Sequence, residues 1–197
     1  MTRSDLAGWL LVGSFLLWLP AAALPARVWT ASLPERLALI APRRRRGQAI
    51  NLSIAGAAVL LVLGFAALSE PLERAGAGVL IPLSLSARLM GAPLWLASLT
   101  FRVTTMTAAS GTDPPPGFAA LSAWAGGLFL AWTALANAAV LGFGVAVVDS
   151  AYPAAWPGWV AIVLACLLLT QLMTTGDALP ALYHVAPALI GIALLLD

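Results

Sequence analysis

Six long runs almost free of charge dominate this chain and leave it few ways to fold. They cover residues 6–25, 49–69, 78–101, 118–148, 156–174 and 179–196. A bilayer core about 30 Å thick is crossed by roughly 20 residues of helix. Lipid offers the backbone no hydrogen bonds, so a segment of this kind must satisfy its own N–H and C=O groups as a helix. Barrel strands are near ten residues and alternate, which these runs do not. Charged residues make up 9% of the 197 and apolar residues 61%. A soluble domain carries about 25% charge to cover its surface. The expectation is an all-α integral membrane bundle: one domain over 1–197, six transmembrane helices, multi-pass in a cell membrane.

Orientation follows from the basic residues, all ten of which are Arg. With the N-terminus outside, the internal segments 27–48, 102–117 and 175–178 hold Arg27, Arg36, Arg43, Arg44, Arg45, Arg46 and Arg102. The external segments hold Arg3 and Arg74. Short basic loops stay on the cytoplasmic side, so both termini are expected outside. The small residues Ala21, Ala22 and Ala23 resemble a cleavage site. The positive charge nevertheless follows the first run instead of preceding it, so 6–25 reads as a retained span and not a signal peptide. Nucleic acid is excluded as a partner, because no second basic patch or binding motif accompanies the first.

The segment 27–48 predicts a short helix of its own. Ser32-Leu33-Pro34-Glu35 fits a capping box with Pro in the first turn. The helix is expected to end near Ala41, before Pro42. Leu33, Leu37 and Ile40 share a face, which reads as a helix lying along the inner interface. Arg43, Arg44, Arg45 and Arg46 would then meet anionic headgroups of the inner leaflet. The segment 70–74 reads as the turn between the second and third spans. The segment 102–117, with four Thr and then Asp113 and three prolines, reads as one long, stiff connection. Trp156 and Trp159 read as interface anchors.

Polar residues inside the runs are the candidate functional groups. Arg88, near the middle of the third run, costs about 2.5–3.5 kcal/mol on insertion scales. It should therefore face the bundle and pair with an anion or with the Leu89 carbonyl that Pro93 leaves free. The bland alternative is a shifted span with Arg88 snorkelling to the surface. His184 is the single histidine, expected about 10 Å inside a helix capped by Asp177, with Pro180 in its first turn. It is a ligand-binding or packing group. Asn137 needs partners within the bundle. Beside it Gly127, Ala131, Ala134, Ala138, Gly142 and Ala146 form a small-residue stripe suited to close helix packing or to a second copy. No carboxylate lies deep in a run, and no zinc helix, nucleophile elbow or phosphate loop occurs. Cys166 is alone. Neither a cofactor, a metal nor an enzymatic reaction is implied.

Further features are Gly8-Trp9, the stretch 34–41, the arginines before the second run, Pro153-x-x-Trp156-x-Gly158-Trp159, and Tyr183-His184 leading to Gly191. With these the chain resembles small multi-pass bacterial membrane proteins of the domain-of-unknown-function kind. The resemblance implies a six-span bundle and no activity. Two functions are carried forward. One is an interaction, scaffold or accessory protein, homo-oligomeric or with a membrane-protein partner. The other is a transporter or binder of a small molecule, anion or lipid, centred on Arg88 with His184 and Asn137.

Overall fold

The computed structural model describes residues 2–23, 31–177 and 182–197. Among them the chain is helical, with no strand. Helix α1 (Arg3–Trp18) runs into a 3-10 turn over Leu19–Ala23. A short α2 (Leu33–Ile40) leads through a 3-10 turn, Ala41–Arg43, into α3 (Arg44–Arg74). Helix α4 (Leu80–Phe101) continues through a π turn, Arg102–Met106, as far as Ala109. Then come α5 (Phe118–Ser150), α6 (Ala155–Thr175) and α7 (Leu182–Leu196). Five helical stretches are long and apolar enough to cross a membrane; α7, described from Leu182, is shorter. The expected end of the first run at Pro25, Arg27, and the start of the sixth run with Pro180 lie outside the described residues.

The long helices pack in chain order, α1 on α3, α3 on α4, α4 on α5, α5 on α6 and α6 on α7, and α7 returns to α1. The result is a closed ring of six, with α5 also touching α3 and α7 across its interior. Two glycine pairs bring backbones of neighbouring helices close together. A Cβ on Gly191 would stand 2.8 Å from the Gly8 carbonyl oxygen, and one on Gly8 would stand 2.9 Å from the Gly191 oxygen. A Cβ on Gly158 would stand 2.6 Å from the Gly144 oxygen. Bulkier residues would push α7 off α1 and α6 off α5. Gly8, Gly158 and Gly191 are therefore packing residues.

Several expectations about connections change. The segment 70–74 is not a turn; it is the last turn of α3, with Pro71 inside the helix. Gly76, at φ +97°, closes that helix, taking Gly76 N to the Glu73 oxygen and Ala77 N to the Leu72 oxygen. This is the Schellman closure, which only a left-handed residue permits. The long connection shrinks to 110–117, because the first part of 102–117 stays helical. The threonines return hydroxyl bonds to their own helix, Thr104 to the Thr100 oxygen at 2.7 Å and Thr107 to the Arg102 oxygen at 2.9 Å.

The short helix α2 exists, with Pro34 in its first turn, but Ser32 makes no side-chain cap bond. Instead Arg36 reaches back to the Ala31 carbonyl, 3.0 Å away. Nor does the chain break at Pro42, which the 3-10 turn absorbs. The face of Leu33, Leu37 and Ile40 packs on Phe101, Met106 and Phe118. Leu37 is buried there, and Leu33 and Ile40 are partly buried. A complete capping box does occur, at Thr2 and Asp5, opening α1.

Candidate functional site

Arg88 is 2% exposed. That burial excludes snorkelling, because a snorkelling guanidinium leaves the protein interior. Along its helix it sits nearer one end than the sequence implied. The helical stretch extends to Ala109, so Arg88 falls in its first third, about 12 Å from the Leu80 end at 1.5 Å per residue. Its guanidinium lies 5.7 Å from the Phe65 ring centroid, and Phe65 is stacked on Phe143 at 4.2 Å. Nη1 has no hydrogen-bond partner among the described residues, so the Leu89 carbonyl does not receive it.

The surrounding helices bring polar groups to the same level. Contacts of Gly142 with Ser84, and of Gly91 with Trp132 and Leu135, fix the antiparallel register of α4 and α5. In that register Arg88 stands opposite the turn that carries Asn137. Asn137 is fully buried and donates from Nδ2 to the Tyr183 hydroxyl of α7 at 3.1 Å, while its Oδ1 is unpartnered. Thr133, one turn away, is also fully buried, and its hydroxyl lies beside that of Tyr183. Arg88 is near enough to Tyr183 and His184 to act on both electrostatically.

His184 turns the other way. Its ring stacks on Trp18 at 6.2 Å, and Nδ1 sits 3.5 Å from the Ser14 hydroxyl, which itself donates to the Leu11 carbonyl at 2.8 Å. Asn137 is thus tied to Tyr183 of α7, Arg88 lies across the α4–α5 seam from the turn of Asn137, and His184 faces α1.

Farther along the seam the rings take over. Trp95 and Trp132 stack at 4.4 Å and 10°, Phe129 leans on both at 5.2 and 5.7 Å, and Tyr183 meets Trp132 at 5.0 Å. Arg102 sits 5.4 Å from the Trp95 ring and 5.6 Å from the Phe129 ring. Trp95 Nε1 and the hydroxyl of buried Ser98 are unpartnered. Thr133 and Trp95 as site neighbours were not foreseen. Their spacing carried the signal: Arg88, Trp95, Ser98 and Arg102 fall on one face of a helix, as do Thr133 and Asn137.

Three cavities lie at the ends of the bundle. One of about 590 Å³ is lined by Arg3, Glu70, Arg74 and Tyr152 among others. Two of about 460 and 530 Å³ are lined from the 104–115 stretch, the second also by α2. None of the three reaches Arg88. The basic run 43–46 is exposed, and Arg44 donates to the Ser110 carbonyl. Of the small-residue stripe, Gly127, Ala131, Ala134 and Ala138 face outward; Ala146 is buried.

No family model, curated protein or solved structure matches this chain.

Proposed function

We propose that the chain is a six-span membrane protein that holds a small anion, such as a halide or formate, beside Arg88. The observation that carries the reading is the Nη1 of Arg88, buried in the bundle with no hydrogen-bond partner. A buried cation needs a counter-charge or hydrogen-bond acceptors around it. Each described carboxylate lies toward an end of the bundle, at positions 5, 35, 70, 73, 113, 149, 177 and 197. The Phe65 ring is attractive to the guanidinium but supplies only a fraction of what is missing.

The test is the melting temperature of the detergent-purified protein in sodium chloride or formate against sodium gluconate at equal ionic strength. Ligand at 100 times its Kd stabilises by about 2.7 kcal/mol. A rise of several degrees is expected for the wild type and none for Arg88→Gln. Equal responses of the two proteins overturn the reading.

A second reading, an interaction protein, is favoured by one observation. Four small residues of the α5 stripe face outward, where a second copy of α5 could approach closely. It predicts a dimer in mild detergent whose yield Ala134→Leu lowers, measured by light scattering. An unchanged monomer mass in both proteins rejects it.

A further inference from the structure

The end of the bundle where α1 starts and α3 stops holds a charged group that has no part in the Arg88 site. Glu70, one turn before the end of α3, takes Arg3 of α1 on Oε2 and Arg74 of its own helix on Oε1. The Glu70 side chain is 29% exposed, against 69% for Arg3 and 77% for Arg74. The carboxylate is the inner member, and both guanidiniums stand on its solvent side. Beside them is the cavity of about 590 Å³, whose lining includes Arg3, Ser4, Glu70, Arg74 and Tyr152. Tyr152, in the connection between α5 and α6, shares a hydrogen bond with Ser4 at 2.6 Å. Three parts of the chain therefore wall one polar cavity, and its volume falls within the roughly 300–1,000 Å³ of ligand sites.

Exposed ion pairs contribute little to stability, and two guanidiniums on one carboxylate also repel each other. As a clamp on the fold the arrangement achieves little. As the pre-formed half of a binding site it makes sense, because Glu70 holds both arginines in place. Arg3 spends Nη1 on Glu70 and Arg74 spends Nη2, which leaves each fork with further N–H donors. Such forks match the oxygens of a phosphate. Two guanidiniums against one carboxylate leave one positive charge. Around it the same end carries Asp5, Glu73, Asp149 and Asp197. A simple anion is repelled by these within a Debye length, about 8–10 Å. A phosphate ester that carries its own ammonium is not, because its anionic half meets the arginines and its N–H donors meet the carboxylates.

We infer that this cavity binds the headgroup of a zwitterionic lipid of the phosphoethanolamine kind, phosphate on Arg3 and Arg74. Arg3 stands just before the apolar run 6–25, and Glu70 and Arg74 stand just after the run 49–69. The cavity thus lies where a bilayer carries its headgroups. Arg88 does not line it, so the inference is independent of the anion site proposed above.

The experiment is native mass spectrometry of the full chain, released from detergent micelles that contain phosphatidylethanolamine and phosphatidylglycerol in equal amounts. Wild type should keep one phosphatidylethanolamine at collision energies that strip the other lipids. The double variant Arg3→Gln with Arg74→Gln should lose it. Glu70→Gln keeps both cations and removes an acidic neighbour, so it should exchange phosphatidylethanolamine for phosphatidylglycerol. Arg43 to Arg46 are intact in every variant, so lipid held at the basic end is common to all. Soluble O-phosphoethanolamine should displace the lipid from wild type, and inorganic phosphate at the same concentration should displace less.

A wild type that keeps no phosphatidylethanolamine, or a double variant that keeps as much as wild type, overturns the inference and leaves Glu70 a clamp between α1 and α3. Where the double variant does not melt cooperatively, Glu70→Gln decides, and an unchanged preference between the two lipids overturns it. Inorganic phosphate that displaces the lipid as well as O-phosphoethanolamine does assigns the cavity to free phosphate and overturns the headgroup.

Discussion

A buried arginine is costly wherever it stands, and the surroundings of Arg88 decide what that cost is for. The side chain has one ring beneath it and an unpartnered nitrogen, and Asn137 on the facing helix has an unpartnered oxygen. Asn137 donates to Tyr183 at this level, tying α5 to α7. Interhelical hydrogen bonds in membrane proteins average about 0.6 kcal/mol. Leaving a buried amide wholly unpaired adds to that, so Tyr183→Phe should cost about 1 kcal/mol. The same change made on top of Asn137→Ala should cost almost nothing, since the partner is already gone. Unfolding in graded SDS measures the cycle; additive losses would show that the two residues stabilise the bundle separately. Arg88, Asn137 and His184 stood out in the sequence because a polar residue in an apolar run needs a reason. Trp95 and Thr133 did not, because a tryptophan or threonine in such a run needs none. Only the pairing of α4 with α5 makes them neighbours of the site, and pairing is not written in either helix alone.

Hydropathy located the apolar runs but was a poor guide to where helices stop. Charge and proline at 70–74 looked like a turn, yet a helix ends where its backbone finds a closure, and that closure is the left-handed Gly76. The threonine-rich start of 102–117 looked like a loop, yet each Thr can return a bond to its own helix, so polarity there does not end α4. Glycine meaning was likewise hidden, because glycines that look alike in the sequence differ in what lies opposite them. Gly158 faces the Gly144 carbonyl at a distance no methyl tolerates, whereas Gly126 and Gly127 have nothing within 4 Å. Gly158→Ala should therefore destabilise by about 1–3 kcal/mol, the usual range for overpacking. Gly126→Ala and Gly127→Ala should be neutral or gain up to about 1 kcal/mol from helix propensity. Thermal melts of the three variants in one detergent check the contrast. A tolerated Gly158→Ala would mean that α5 and α6 are free to separate.

At the scale of the whole molecule the ring closes because α7 returns to α1, which places both termini at the same end of the bundle. Glu70 pairs with Arg3 and Arg74 at that end, joining the start of α1 to the end of α3. The opposite end carries Arg36, Arg43, Arg44, Arg45 and Arg46, with Arg102 near it. An arrangement with six spans and the basic end inside puts both termini outside. In a Cys166→Ala background, single cysteines at positions 2 and 197 should react with a membrane-impermeant maleimide in intact cells. A cysteine at position 45 should react only after the cells are opened. The exposed run 43–46 should also hold anionic lipid, at about 1 kcal/mol per basic residue near the surface. Arg44 shares its guanidinium with the Ser110 carbonyl, so most of that attraction falls to the other three. Replacing all four with Gln should then lower the anionic lipid retained on purification while position 2 still labels from outside. External labelling at position 45 would reverse the orientation. Unchanged lipid retention with the labelling pattern intact would leave the arginines as a topology signal and nothing more.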